Sequence, residues 1–349
     1  MAINNYLCEM PKVEIHLHLE GSIRPEILLQ LADRHGIQLP VMTEEEIREW
    51  YIFEDFPKFI DIYQTIVKVL KTPDDFALIS YDLGKTLAAQ NVRYTEVTWT
   101  PGLHAYKDGL NFISVLEGVN DGRDRARDEF GIDMRWITDI ARNLEVDNAV
   151  EIAEWVSSPA GRDGGIVALG LGGFEVNYPP ELFEAAFKLA RDNGLPANPH
   201  AGETMGPSSI WGSLNSLQAK RIGHGVRAIE DPKLVQYLVE HQIPLEVNPT
   251  SNICLNIYPS YAAHPLKTLF EAGVIVTINS DDPPMFNTTI NEEYLHAVHD
   301  CGLTLAQLET AAFNAVQVSY LPDDQKSTMR QEFETTYQNL RQKHGLNSQ

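Results

Sequence analysis

Eight short β-like runs alternate with helix-like stretches along most of this chain, and that rhythm limits the folds open to it. The runs cover residues 13–18, 92–99, 132–140, 167–172, 195–200, 221–224, 243–248 and 274–279. Helical patterns fill residues 24–35, 74–90, 110–130, 146–156, 180–193, 231–241 and 265–272. Helix-like stretches tend to end in Gly or Asn just ahead of the next run, as in Asp192-Asn193-Gly194 and Glu271-Ala272-Gly273. That is ordinary C-cap chemistry. Strand and helix in turn build a parallel sheet covered by helices, and eight such units predict an α/β fold of the (β/α)8 barrel type. An open, doubly wound sheet is the alternative. It is disfavoured because no Gly-x-Gly-x-x-Gly turn follows the first run. Residues after Asn314 read as closing helices. With no internal repeat, low-complexity tract or Pro/Gly-rich linker, residues 1–349 are expected to form one domain.

One interruption breaks the rhythm. Residues 41–73 lie between the first helix and the second strand, on the side of a barrel where active sites form. They include Trp50-Tyr51-Ile52-Phe53 and Phe56-Pro57-Lys58-Phe59. Two compatible readings are an extra amphipathic helix pair packed on the barrel and a lid with aromatic rings facing a ligand.

Composition excludes several partners. A formal charge of −22 over 349 residues repels phosphate backbones, so nucleic acid is not an expected partner. No apolar run approaches the roughly 20 residues needed to span a bilayer, so no membrane association is expected. The first residues, Met1-Ala2-Ile3-Asn4-Asn5-Tyr6-Leu7, show no basic stretch before an apolar core, so no signal peptide is expected. Three widely spaced cysteines, Cys8, Cys254 and Cys301, provide neither a disulfide framework nor a Cys-based zinc site. A reducing cytoplasm fits best.

Ionisable residues collect at the ends of the expected strands. His16 and His18 end the first, two residues apart and so on one face. Such a pair can grip a transition metal, although an isolated His-x-His is more often chance. His200-Ala201-Gly202-Glu203 ends the fifth strand, and Arg221-Ile222-Gly223-His224-Gly225 the sixth. Ser280-Asp281-Asp282-Pro283-Pro284 follows the eighth. In a barrel these ends converge on one mouth. His16, His18, His200 and Asp281 supply the three or four N and O donors that a catalytic zinc wants. Glu203 would sit beside the metal as a proton carrier. His224 would hold or deprotonate a metal-bound water, the competing reading being a core histidine satisfied by backbone. His35, His104, His241, His264, His296, His299 and His344 read as solvated or structural. Strand four ends Leu169-Gly170-Leu171-Gly172-Gly173 without the lysine that bridges two metals in some barrel hydrolases, so one metal is expected. His18-Leu19-Glu20 mimics half of the other zinc deaminase signature, but the Pro-Cys-x-x-Cys half is missing.

From about Pro11 to Tyr294, the ordered set of motifs resembles the adenosine deaminase family of the amidohydrolase superfamily. The resemblance implies a zinc-dependent barrel in which zinc-activated hydroxide attacks C6 of adenosine or 2′-deoxyadenosine, giving inosine or its deoxy analogue plus ammonia. It implies one Zn2+ on His16, His18, His200 and Asp281. It makes Glu203, His224 and Asp281 catalytic: Glu203 protonates purine N1, and His224 orients the hydroxide. It places His18, Glu20, Gly173 and Asp282 against the substrate. Glu20 lies toward the 5′ side, the Gly173 N–H meets N3, and Asp282 meets N7. The small-molecule partner is then a purine nucleoside or base. Val247-Asn248-Pro249-Thr250-Ser251-Asn252 replaces the Cys-Pro pattern common in the family, and residues 170–175 differ from the animal type. These departures keep open adenine, N6-modified nucleosides and 5′-modified ones such as aminodeoxyfutalosine. Two rivals remain. A zinc hydrolase of esters or amides would need neither Glu203 nor Asp282, and a non-catalytic nucleoside binder would not need the complete ligand set.

Overall fold

The computed structural model describes residues 1–346. Eight parallel strands follow one another in chain order. They are β1 (Lys12–His18), β2 (Val92–Trp99), β3 (Asp133–Ala141), β4 (Ile166–Gly172), β5 (Ala197–Ala201), β6 (Ile222–His224), β7 (Leu245–Val247) and β8 (Val276–Ile278). The ring closes where Leu17 bridges Asp281. The His18 N–H donates to the Asp281 carbonyl at 2.8 Å, and the Asp281 N–H donates to that of His16 at 3.2 Å. The expected (β/α)8 barrel is therefore the observed one.

Each strand sits where the sequence places it, but β5, β7 and β8 start two residues late. The cause is the same in all three. The N–H groups of Leu195, Ile243 and Val274 turn back to the carbonyls of Ala190, Leu238 and Leu269 and finish the preceding helix. These donors satisfy orphan carbonyls at the helix end, so they are lost to the sheet. Residues 180–193, expected as one helix, are a 3-10 turn Pro180–Phe183 followed by the helix Glu184–Asp192. Helices Ala2–Glu9 and Pro207–Asn215 are additions to the sequence reading. Pro207–Asn215 contains Ser208, Ser209, Gly212 and Ser213, which blur its apolar period. Two helices, Leu305–Val318 and Asp323–His344, close the described chain; the second lies after Asn314 as expected, while the first begins before it. The first packs across β8 and β1 and covers the seam. No helix among the described residues is long and apolar enough to cross a membrane.

The interruption after the first helix is a helix pair, Glu44–Trp50 and Phe56–Ile66. Thr43 and Glu46 form a capping box on the first, and the Asp55 carboxylate caps the second through the Lys58 N–H at 2.9 Å. Phe59 stacks on Phe286 with ring centres 5.3 Å apart, and Phe53 meets Phe286 edge-on. The pair is thus pinned to the loop that follows β8.

On the outer layer, helices Pro73–Ala89 and Phe112–Phe130 pack closely enough to need Gly122. A Cβ there would come within 2.8 Å of both the Ser80 Cβ and the Tyr81 nitrogen, and would collide with the Ala77 carbonyl. Overpacking of this kind costs about 1–3 kcal/mol. Gly122→Ala should therefore lower the free energy of unfolding by that amount and so shift the denaturant midpoint down, while turnover at low temperature stays at the parental level. An unchanged midpoint would show that the two helices can separate freely.

Candidate active site

All the strand-end residues singled out in the sequence lie around the C-terminal mouth of the barrel. A cleft of about 720 Å³, counting its open mouth, sits above them. His18, His200, Glu203, His224, Asp281 and Asp282 line its base. Phe56, Phe59, Ile60 and Tyr63 of helix Phe56–Ile66 form one wall, with Leu103, Phe174 and Leu255 around the rest. His16 lies just beneath, 1% exposed.

The imidazoles are aimed by their far nitrogens. His16 Nδ1 donates to Glu246 Oε2 at 2.7 Å, and His200 Nδ1 donates to the Leu171 carbonyl at 3.2 Å. Both rings therefore turn an Nε2 lone pair toward the centre. His16 Nε2 is 3.5 Å from Asp281 Oδ1 and, though buried, has no hydrogen-bond partner. His18 Nε2 is 3.3 Å from the same oxygen and 3.1 Å from His200 Nε2. Donor atoms of His16, His200, His224 and Asp281 all lie within 4.8 Å of one another. Lone pairs that converge on a carboxylate with no cation between them fit a divalent metal with N and O ligands. The field agrees. Burial opposes charge on His16 and His18, yet Asp281 and Glu246 hold His16 up at about 9, and Asp282 and Asp281 hold His18 at about 10. The same carboxylates that would draw protons there would draw a metal ion.

Of the expected ligands, His16, His200 and Asp281 share this group with His224, while His18 Nε2 approaches Asp281 and His200 separately. His224 shares the neighbourhood but is aimed differently. Its Nδ1 faces the amides of Asn248 and Asn252, while Nε2 points at Asp281 Oδ2 (3.8 Å) and Glu203 Oε2 (3.9 Å).

Glu203 is carried on a loop tied down by Glu175. That carboxylate accepts from the N–H groups of Gly202, Glu203, Thr204 and Met205 at 2.8–3.2 Å, and also from the Ser209 hydroxyl. Burial would raise Glu175, but Arg142 and these donors outweigh it, so it stays ionised. Glu203 is driven the other way. Burial and the charges of Asp281 and Glu175 push its pKa well above the usual carboxylate range. One carboxylate holds charge and its neighbour holds a proton, the division that acid chemistry at neutral pH requires. Asp282 is raised chiefly by burial, and its Oδ1 has no partner. Gly21 leaves the space this carboxylate fills, since a Cβ at Gly21 would collide with it. Gly173 sits at φ +88° on the cleft wall, a conformation that glycine alone adopts without strain.

One expected contact residue, Glu20, is placed apart from the others. Glu20 is not on the cleft wall but fully enclosed. Its carboxylate accepts from the Thr100 N–H at 2.9 Å and the Tyr63 hydroxyl at 3.4 Å, and His104 Nε2 lies 3.3 Å away. Both oxygens are thus engaged by the protein. Glu20 reaches the cleft through Tyr63 and Thr100, both of which line it. Within the aromatic insertion, Phe56 and Phe59 touch the cleft, whereas Phe53 is packed behind them.

Several residues of the site went unnoticed in the sequence. Asp139, on β3, lines the cleft with its Oδ2 3.6 Å from His200 Nδ1. It is an ionisable residue at the end of an expected strand, so the rule that picked His16 applies to it equally. Glu246 and Arg221 lie below the histidines. Arg221 bridges Glu246 Oε1 and Glu96 Oε2 at 2.6 Å each, with its guanidinium 4.0 Å from the Tyr320 ring centre. Their only signal was charge within apolar strands. Glu175 and the asparagines behind His224 lie in the two segments that depart from the family pattern, a signal that marks them without assigning a role.

A barrel whose mouth gathers histidines and an aspartate in this way is built as a metal-dependent hydrolase. The family model described as adenosine deaminase matches residues 11–336, and the chain belongs to that family, within the amidohydrolase superfamily. It is 39% identical to the aminodeoxyfutalosine deaminase of Streptomyces avermitilis, over 95% of this chain and 93% of that one. The crystal structure of an adenine deaminase from Arthrobacter aurescens superposes with a TM-score of 0.89 at 32% identity, covering 94% of this chain and 99% of its own. A zinc-bound amidohydrolase from Burkholderia ambifaria superposes with a TM-score of 0.92 at 26% identity, covering 99% and 95%.

The Glu246 carboxylate should matter to the metal without touching it. Partners of this kind typically contribute 10–100-fold to metal affinity. Glu246→Gln should weaken metal binding by about 10–100-fold in competition with a chelator. Equal retention by parent and variant would remove Glu246 from the support of His16.

Proposed function

We propose that the chain is a hydrolytic deaminase acting on the 6-amino group of a purine, with one zinc held by His16, His18, His200 and Asp281. The observation that carries this reading is the set of groups around the cleft base. Two carboxyls, Glu203 and Asp282, and a backbone N–H at Gly173 share one cavity with the histidine–aspartate centre. A purine presents acceptors at N1, N7 and N3, and these groups are suited to meet them. When bound, zinc would lower the pKa of a coordinated water toward about 7 and so supply the nucleophile.

The chain's own groups supply the rest. Glu203 delivers its proton to N1, which drains the ring and makes C6 open to attack. Asp282 and Gly173 hold the ring in register at N7 and N3. His224 and Asp281 flank the side from which water approaches. The rings of Phe56 and Phe59 exclude bulk water and give the base an apolar wall. Helix Phe56–Ile66 thus serves as the lid of a single catalytic domain.

For the substrate, the cleft favours a neutral purine compound over a nucleotide. Among the described residues, no Lys or Arg lines it. A phosphate would enter without a cationic partner and against a strongly acidic protein. Adenosine, 2′-deoxyadenosine and 5′-modified nucleosides of the aminodeoxyfutalosine kind fit this chemistry. The relative of that name supports the last. Adenine is a second reading, supported by the enclosure of Glu20, whose carboxylate is engaged by the protein rather than facing the cleft.

Ultraviolet assays on adenine, adenosine, 2′-deoxyadenosine, 5′-modified adenosines, N6-methyladenosine and AMP test the proposal. Deamination of at least one neutral compound, with AMP the poorest substrate, is expected. Failure on every 6-aminopurine would overturn it. Glu203→Gln should cut turnover on the best substrate by on the order of 10² to 10⁴ while leaving metal content unchanged. Phe56→Ala should raise KM and change the ratio of nucleoside to base turnover, with kcat much less affected. Identical ratios in parent and variant would reduce this ring to packing.

A further inference from the structure

The segment that departs from the family pattern, residues 247–252, lies behind His224, and its hydrogen bonds can be followed outward to a group whose role is fixed. That group is the backbone N–H of Leu266, which can only donate. It donates to His264 Nδ1 at 3.1 Å. His264 is buried, and burial holds its pKa down at about 3, so the ring is neutral. With a lone pair on Nδ1, its one proton is on Nε2. That nitrogen lies 3.0 Å from Asn252 Oδ1, which therefore accepts. The amide has no freedom left to flip, and its NH2 group must face the other way. There it meets His224 Nδ1 at 3.4 Å, alongside the amide of Asn248 at 3.3 Å. Asn248 and Asn252 are fully buried, so no water competes for these contacts.

We infer that Asn252 and His264 are positioning residues that lock His224 as the tautomer protonated on Nε2. Its Nδ1 is an acceptor, and its N–H points at Asp281 and Glu203. In this form His224 donates a hydrogen bond into the centre and has no lone pair there with which to take a proton. The imidazole orients the attacking water; a carboxylate must be the group that first receives its proton. This excludes the alternative, left open by the sequence, in which His224 deprotonates the water. The consequence for catalysis rests on the deaminase reading, but the tautomer does not.

The lock is tested by nitrogen-15 NMR of histidine-labelled protein as isolated, with the His224 signals identified by their loss in His224→Gln. In the parent, Nε2 should show the protonated and Nδ1 the unprotonated shift. The reverse pattern, or a mixture of the two, would overturn the inference and leave the deaminase proposal standing. Asn252→Asp adds a second reading. A carboxylate there accepts from His264 and demands a proton on His224 Nδ1 as well, so the tautomer should invert. Turnover should fall on the order of 10²-fold or more, as for wrong-tautomer histidines elsewhere, with KM and metal content near parental values. Inversion without loss of turnover would show that the tautomer is not used. If Asn252→Asp fails to fold, the parental spectrum still decides. No deamination of any purine by a protein with the stated tautomer would sink the functional reading alone.

Discussion

Closure of the ring between β1 and β8 is the constraint on which the rest depends. The backbone of Asp281 pairs with β1 on both sides of Leu17, through His16 and His18. Its side chain then meets the imidazoles of those same two residues. Barrel closure and assembly of the centre are therefore one event. The strands farthest apart in sequence become neighbours, and their ends supply three of the four proposed metal ligands. The helix Leu305–Val318 covers this seam from outside, so the last part of the chain guards the joint that makes the site.

Below the centre the barrel axis is filled with charge rather than aliphatic layers. Glu14, Glu96, Arg221 and Glu246 are buried to within 1%. Buried pairs recover their desolvation cost only with close geometry and further hydrogen bonds, and an apolar filling would often be more stable. Here the arrangement has a use. Arg221 keeps Glu246 ionised despite burial, and Glu246 fixes the proton of His16 on Nδ1. A leucine at position 246 would fill the space and leave His16 free to rotate or change tautomer.

Most of the fold and the inner ring of the site were legible in the sequence, for a common reason. A strand buried on both faces reads as an apolar run, and an ionisable residue at its end stands out. That contrast revealed His16, His18, His200, His224 and Asp281, and would have revealed Asp139. The second ring was hidden because its members act across long sequence distances. Glu175 binds a loop 27 residues further on, and His264 acts through Asn252 on a ring 40 positions earlier in the numbering. The surroundings of Glu20 were hidden for the opposite reason. Its place beside His18 was legible, but whether its oxygens faced the ligand or the Thr100 N–H depended on packing by Tyr63 and His104.

His224 and Asp281 share one more property. Both sit at positive φ, +60° and +66°, in the left-handed region. Histidine and aspartate tolerate that region better than most residues but still lose roughly 1 kcal/mol there compared with ordinary backbone. Glycine would sit at either position more comfortably, and asparagine nearly so. Considered only as a folding problem, the sequence is under a steady pull toward residues that would erase the centre. A glycine at either position would relax the backbone and leave the mouth of the barrel without the side chain that gives it chemistry.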